Sequence, residues 1–518
     1  MPTVHQEVEI KYDVDEAFEV PPLATLVTGH EHSTPVVEGE PVTHRLEATY
    51  YDTSDHRLAG ARLTLRRRTG GEDAGWHLKV PTADGARQEV RLPLDTSGET
   101  VPDELGKLVR VPARGVALVP VARIVTQRTV RRLVDATGQP VLEVADDRVE
   151  ARRLPGGDGE GALSWRELEV ELQGGERPWL DAVDERLREL GVRVADSSSK
   201  LARVLGTEAT PAQAPSRKSH AKRGPKATAG DVVLSYVTEQ IEQILGNDVQ
   251  VRLDTPGSVH RMRVATRRLR SALQTFSPVV EREVARPLRT ELRWLAGELG
   301  AARDAEVLRE RLSTALEEEE RRVSTSPVGD VAGTEMSQAY REAHDRLLSG
   351  LDSDRYLQLV ETLDGLLSAP PLTAKADRPA AKVLPRRAAR AYARLSDLVD
   401  AAHQAPPGVE RDRHLHEARK AAKKARYAGE TMAAFFGKPA AAFAAAMEGL
   451  QEELGEHQDS VVMRARLADL AGRETSPVAA FAYGRLHAQE EQRGDLAVER
   501  FEAAWRKGSK RSLRRWME

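Results

Sequence analysis

Apolar and polar residues alternate in short bursts up to about residue 205, and long helical periods replace that pattern further on. VEIKY, RLEATYYDT, ARLTLRRRT, WHLKVP, RQEVRLPL, VLEVADDRV and WRELEVELQ each read as a strand, and GG, DG and TG turn signals separate several of them. After the last of these, PWLDAVDERLREL predicts a helix over about 178–190, with Pro178 suited to its first turn. So many antiparallel strands in one domain predict a barrel or a sandwich. Residues 207–229 are rich in Pro, Ala, Ser and Lys and carry no hydrophobic period, which predicts a flexible basic linker. Beyond it the chain reads as all-helical, with helix connections near 325 and 405.

The helical half repeats itself. HRMRVATRRLR from His260 and HEARKAAKKAR from His416 share H-x-x-R-x-x-x-[RK]-[RK]-x-R. Downstream, ELGAARDAEVLRERL from Glu298 matches ELGEHQDSVVMRARL from Glu453, and the two offsets, 156 and 155 residues, agree to within one. Two matches at one spacing predict a duplicated unit, about 230–370 and 380–518, packed as two bundles about a pseudo-twofold axis. The expected domains are therefore 1–206, the linker 207–229, and 230–518.

Composition narrows the chemistry. With 518 residues the chain is too long for one ordinary core. It has no cysteine, which excludes disulfides, thiolate zinc sites and cysteine nucleophiles. No apolar run reaches membrane-spanning length, and the first residues carry no signal-peptide pattern, so the expected setting is the cytoplasm. The net charge of −4 conceals a chain that is 31% charged, with basic clusters at LTLRRRTGG, MRVATRRLR, RKAAKKAR and KGSKRSLRRW. Aromatics are only 4%, which argues against nucleic acid as the partner. Basic clusters without aromatics suit a ligand that is mostly phosphate.

In a strand, alternate side chains share a face. Glu7, Glu9 and Lys11 therefore project together, as do Arg66 with Arg68, His77 with Lys79, Arg87 with Glu89, Glu143 with Asp147, and Glu167 with Glu169 and Glu171. Solvent-facing charge accounts for any one of these strands. It does not account for carboxylates gathered on some strands and guanidinium groups on others. With these faces turned inward, a barrel would be lined by oxygen ligands for Mg²⁺ or Mn²⁺ beside cationic clamps for phosphate.

EVEIK, LRRR, HLK, RQEV, ELEVEL and SSSKLAR, in this order over about residues 3–206, resemble the CYTH family, the triphosphate tunnel metalloenzymes. The resemblance implies a closed antiparallel barrel whose tunnel binds a triphosphate with divalent metal. It implies Glu7, Glu9 and Lys11 as catalytic residues. The metal ligands would be Glu7, Glu9, Glu169 and Glu171, with Glu143 and Asp147 as further acidic tunnel residues. The triphosphate would be held by Lys11, Arg66, Arg68, Lys79, Arg87 and Lys200, the last lying in the family's late Ser-Lys pair with Ser199. Arg123 and Arg128 are five apart and cannot both point inward from one regular strand, and Arg128 is the expected one. His77 stands where relatives often carry threonine. Without a base-recognition motif, inorganic triphosphate is the expected substrate, ahead of nucleotide or thiamine triphosphate.

On a helix, positions i, i+3, i+7 and i+10 form a stripe. His260, Arg263, Arg267 and Arg270 meet that spacing, and so do His416, Arg419, Lys423 and Arg426, with Arg268, Lys420 and Lys424 beside them. From about residue 228 the chain resembles the CHAD domain, the conserved-histidine α-helical domain that often follows CYTH. The resemblance implies polyphosphate binding by both stripes. Arg289, Arg293, Arg386, Arg387 and Arg390 on other basic helices are further candidates, while Asp304 and Asp459 are expected to orient basic side chains. The expected protein is a metal-dependent triphosphatase with a polyphosphate-binding module, placed in the cytoplasm or on polyphosphate granules. The alternative is a non-enzymatic polyphosphate-binding protein that uses both domains.

Overall fold

In a computed structural model the described residues are 3–27, 36–82, 87–94, 98–154, 162–197, 199–206, 227–323 and 329–518, and side chains are described for all of these except 3–7, 319, 320, 322, 323 and 329–332. The chain forms two compact units, Met1–Ser216 and Arg217–Glu518. The expected linker lies almost wholly outside the described residues.

The first unit is a curled antiparallel sheet of eleven strands: β1 (Thr3–Glu7), β2 (Glu9–Asp13), β3 (Val36–Glu38), β4 (Val42–Asp52), β5 (Thr64–Thr69), β6 (Gly75–Pro81), β7 (Arg87–Leu92), β8 (Val119–Asp135), β9 (Pro140–Arg153), β10 (Leu163–Leu172) and β11 (Arg193–Val194). Among the described residues five helices accompany it: α1 (Leu23–Leu26), α2 (Arg57–Gly60), α3 (Asp103–Val109), α4 (Arg177–Glu189) and α5 (Lys200–Leu205). The order along the sheet is β1-β7-β6-β5-β4-β8-β9-β10-β2-β11. Only Val8 separates β1, which pairs with β7, from β2, which pairs with β10. The opening segment thus touches both ends of the run from β7 to β10.

Alternation decides what each face does. Tyr12, Val144, Leu168 and Val170 pack with Leu180, Val183 and Leu187 of α4 in one buried cluster. Burying side chains of this size contributes roughly 1.5–3 kcal/mol each, which commits one face of β2, β9 and β10 to the helix. Tyr12 also donates its hydroxyl to Asp184 of α4 at 2.9 Å. The charged residues are left on the opposite face.

Strand register carries that face around the sheet. Lys11 lies opposite Glu169, Glu9 and Glu143 lie on either side of Glu171, and Asp147 lies between Glu167 and Arg128. Farther along, Tyr50 faces Arg66, Arg66 faces His77, and Lys79 faces Glu89. Toward one end the same face becomes apolar: Ile124, Val149 and Ala151 form a buried cluster with Leu201, Val204 and Leu205 of α5. That helix covers the end of the charged face, and Ser199 caps it by accepting from the Ala202 amide at 3.1 Å.

The second unit is all-helical: α6 (Ala229–Arg252), α7 (Ser258–Thr275), α8 (Arg282–Val323), α9 (Gly329–Leu351), α10 (Asp354–Ser368), α11 (Ala380–Val383), α12 (Pro385–Gln404), α13 (Val409–Phe436), α14 (Lys438–Arg473) and α15 (Pro477–Gly508). Of the two expected connections, residues 405–408 join α12 to α13, while 324–328 lie outside the described residues. Leu312, Met336, Leu467 and Tyr483 belong to one core cluster, so α8, α9, α14 and α15 share buried surface. The two repeats are thus joined by a common core, and α7 packs directly on α13.

Candidate functional sites on the charged sheet face and between α7 and α13

On β9 and β10, carboxylate oxygens of Asp147, Glu167 and Glu169 all lie within 4.8 Å of one another. Asp147 has no exposed surface. Such a group survives burial only if paired. Lys200 does most of the pairing: its Nζ is 2.8 Å from Asp147 and 2.7 Å from each of Glu167 and Glu169. Arg128 grips Asp147 through Nε at 2.8 Å and Nη2 at 2.6 Å, and also pairs with Glu169. Lys11 donates to Glu9 at 2.9 Å and to Glu169. Trp165 donates its indole N–H to the second oxygen of Glu167 at 2.5 Å.

Burial alone would raise these carboxyls. Against it, Lys11 and Lys79 hold Glu9 below the usual range, Arg128 and Lys200 do the same for Asp147, and Lys11, Lys200 and Arg128 hold Glu169 well below it. Burial likewise disfavours the charged Lys200, yet Asp147, Glu169 and Glu167 raise its pKa above the ordinary value. Three carboxylate groups, those of Asp147, Glu167 and Glu169, thus converge on one point. That donor set suits a hard divalent cation such as Mg²⁺ or Mn²⁺.

Glu89 on β7 organises the basic part of the face. It is wholly buried and meets His77 Nδ1 at 3.0 Å, Arg66 at 3.6 Å and Lys79 at 3.9 Å, and it also pairs with Arg91. Burial lowers the His77 pKa to about 4, with Arg66 and Arg68 pushing the same way and Glu89 opposing. Burial, Arg66 and Arg128 bring Arg68 down to about 9, and Arg68 pairs with Asp73. Arg66 and Arg128 thus act on Arg68 as like charges, which favours a further anion beside it.

The expected residues divide as follows. Glu9, Lys11, Asp147, Glu169, Arg128 and Lys200 form one interlocked network, and Arg66 and Lys79 converge on Glu89. Glu143 pairs with Arg132 at 2.8 Å and lies beside Glu171, away from the converging triad. Glu7 stands in register with Arg87, and its side chain is outside the described residues. Arg123 pairs with Glu47 and is half-exposed. Glu167 and Glu89 lie outside the expected ligand set, although each alternates with residues inside it.

In the helical unit the two stripes meet. Arg263 of α7 pairs with Asp304 of α8 at 3.0 Å, and Arg419 of α13 lies 3.9 Å from Asp459 of α14. Gly300 and Gly455, one turn before those aspartates, leave room beside the two guanidinium groups. Burial lowers the Lys423 pKa to about 6, and Arg267, Arg419 and Arg263 push the same way. Burial with Arg303 and Arg263 lowers His260, and burial with Arg267, Arg293 and Arg289 lowers Arg270. Lys424 is lowered by burial and Arg289. His416 Nδ1 is 2.7 Å from Gln458.

Other stripe residues have acidic partners. Glu430 accepts from Arg268 at 3.0 Å, from Arg426 at 2.6 Å and from the Tyr236 hydroxyl at 3.1 Å. Lys420 pairs with Glu417 at 2.8 Å on the surface. On α12, Arg390 lowers the Arg387 pKa in addition to burial, and Arg386 lies on the same helix. Among the described residues no helix is long and apolar enough to cross a membrane.

Comparison with known proteins divides the chain in the same way. The CYTH domain model matches residues 5–204 and the CHAD domain model matches residues 235–468. An uncharacterized protein of Mycobacterium tuberculosis strain H37Rv is 36% identical over 526 residues, spanning 98% of this chain and 97% of the relative. Among solved structures, PptA from Streptomyces chartreusis covers 54% of this chain and 100% of its own at 24% identity (TM-score 0.45). The CHAD domain from the plant Ricinus communis covers 54% of this chain and 93% of its own at 28% identity (TM-score 0.42). A putative adenylyl cyclase from Hippeastrum, described as having a dominant triphosphatase activity, covers 38% of this chain and 94% of its own at 21% identity (TM-score 0.24).

Proposed function

The chain belongs to the proteins that join an N-terminal CYTH domain to a C-terminal CHAD domain, and from that premise we propose that it is a metal-dependent inorganic triphosphatase with an attached polyphosphate-binding module. The observation that carries this reading is the division of one sheet face into the Asp147, Glu167 and Glu169 carboxylates and the neighbouring Arg66, Arg68, Arg128 and Lys79 cations. Closure of the sheet into a tunnel is part of the reading, and it is supported by the opening segment, which pairs with β7 before Val8 and with β10 after it.

In this reading Arg66, Arg68, Lys79, Arg87 and Lys200 bind the phosphate oxygens, and Glu9, Asp147, Glu167 and Glu169, with Glu7 and Glu171, hold the metal. A Mg²⁺ or Mn²⁺ ion held there would supply neutralisation of phosphate charge and a lower cost of forming a hydroxide nucleophile. The basic residues orient the chain in line and stabilise charge that builds on the leaving oxygen. Water attacks the terminal phosphorus, the adjoining P–O–P bond breaks, and phosphate and pyrophosphate leave. In this reading Lys11, which donates to Glu9 and Glu169, also helps to orient that water.

The cationic ridge of Arg263, Arg267 and Arg419, with the Lys423 amine among them, supports a linear polyanion as the ligand of the helical unit. The paired contacts Arg263–Asp304 and Arg419–Asp459 support a duplicated, pseudo-twofold arrangement of its two halves. Holding the chain on polyphosphate would raise the effective concentration of phosphate ends near the sheet face. A second reading, a phosphate-gripping sheet without turnover, is favoured by the full pairing of the three carboxylates with Lys200, Lys11 and Arg128. Phosphate release from inorganic triphosphate with Mg²⁺ or Mn²⁺ decides between them. Turnover by the wild type that Glu9→Ala abolishes supports the enzyme; binding without release by both supports the second reading.

A further inference from the structure

On the metal-dependent reading above, we propose that Lys200 occupies the metal seat in the free protein, so that a divalent ion loads only with or after the phosphate that draws Lys200 away. Lys200 Nζ contacts all three carboxylates of the triad at 2.7–2.8 Å. Lys11, by contrast, meets only Glu169 of the three. A divalent ion bound by the same oxygens would sit about 2.0–2.6 Å from each of them. Two cations cannot share three oxygens at those separations without direct repulsion. Ammonium and metal are therefore alternatives at one position.

Charge points the same way. Among the groups in direct contact, Glu9, Asp147, Glu167 and Glu169 bring four negative charges, and Lys11, Arg128 and Lys200 bring three positive ones, which leaves one negative charge, while Lys79, which also acts on Glu9 and Glu169, is shared with Glu89. Arg203 sits near Glu167 but is compensated by Asp13 at 2.5 Å. Withdrawing the Lys200 ammonium leaves two negative charges, the balance a divalent ion neutralises. The backbone of Lys200 need not move for this. It is the first residue of α5, whose Leu201, Val204 and Leu205 are buried, so only the flexible side chain has to turn. A phosphate oxygen offers the ammonium a charge-assisted hydrogen bond in exchange for its carboxylates. Lys200 thus serves as a positioning residue that sets the order of binding.

The test is Mn²⁺ binding, followed by electron paramagnetic resonance on the full chain, with and without a methylene-bridged triphosphate that cannot be hydrolysed. Wild type is compared with Lys200→Met and with Lys200→Gln, which keeps polar contacts to the carboxylates if the methionine variant fails to fold. Without the analogue, the variants should bind Mn²⁺ at least about tenfold more tightly than wild type. Variants that bind no more tightly overturn the proposal while leaving the metal-dependent reading in place, provided wild type takes Mn²⁺ together with the analogue. Failure of wild type and variants alike to take Mn²⁺ even with the analogue overturns both.

Discussion

Arg419 Nη2 lies 3.3 Å from the point where a Cβ on Gly455 would stand, and the corresponding distance from Gly300 to Arg263 is 3.8 Å. The duplicated Glu-Leu-Gly motif is thereby explained, since a glycine on α8 and another on α14 make space for one stripe arginine each. The two sites differ enough to give opposite outcomes. Gly300→Ala finds ordinary contact distance and should stabilise the helix by about 0.5–1 kcal/mol without changing polyphosphate affinity. Gly455→Ala crowds the guanidinium and should weaken polyphosphate binding severalfold while leaving the melting temperature unchanged or raised. Equal affinities for both variants would remove Arg419 from the binding surface.

This glycine pair also shows which features the sequence makes legible. The repeat, the stripes and the strand alternation are periodic, and a period of two or of three to four residues fixes which side chains share a face. Partner choice is not periodic. Arg267 and Arg268 are adjacent and chemically identical, yet Arg268 turns to Glu430 of α13, far away in the chain. Glu167 belongs to Glu-x-Glu-x-Glu, but its place in the triad depends on Lys200 arriving from α5. Glu89 reads as one of a charged pair with Arg87, and only the register of β5, β6 and β7 makes it the centre of four basic contacts.

That contrast predicts different effects for neighbouring arginines. Arg267 lowers the pKa values of Arg263, Arg270, Arg419 and Lys423, so it sits among like charges. Arg267→Ala should leave stability unchanged or slightly raised and reduce polyphosphate affinity by about tenfold, the loss of one charge-assisted contact. Arg268→Ala strips a partner from Glu430 and should cost about 1–3 kcal/mol of stability with a smaller change in affinity. Chemical denaturation and binding titration on both variants check the pair, and interchangeable behaviour would contradict the assignment.

Lys423 makes the helical site pH-dependent. Its pKa falls from the ordinary 10.5 to about 6 through burial and the nearby Arg267, Arg419 and Arg263, with Asp459 opposing. The unfolded chain therefore binds a proton that the folded chain lacks between those values, and stability should fall as pH drops through that window. A bound polyanion restores the proton by favouring the charged amine. Calorimetry near pH 7.5, in buffers of different ionisation enthalpy, should show proton uptake on polyphosphate binding, and Lys423→Met should abolish it. Uptake that persists in the variant would assign the proton elsewhere.

Glu89 gives the opposite pH dependence in the sheet unit. Burial disfavours its charge, but His77, Lys79 and Arg66 more than offset this and hold the carboxyl far below its ordinary 4.5. Its contribution to stability is therefore complete at pH values above that ordinary value and declines below it, as the unfolded chain binds a proton that the folded carboxyl does not. Glu89→Gln keeps the shape but leaves Arg66, Lys79 and Arg91 without their shared counter-charge on a wholly buried atom. Breaking such a buried pair should cost about 3–5 kcal/mol at pH 7. The difference between wild type and variant should shrink as pH falls below the ordinary 4.5, because the unfolded wild type then takes up a proton that the folded protein keeps off Glu89. Circular-dichroism melts of both proteins from pH 3 to pH 8 measure it, and a gap that stays constant across that range would show that Glu89 is not the ionised centre of the basic wall.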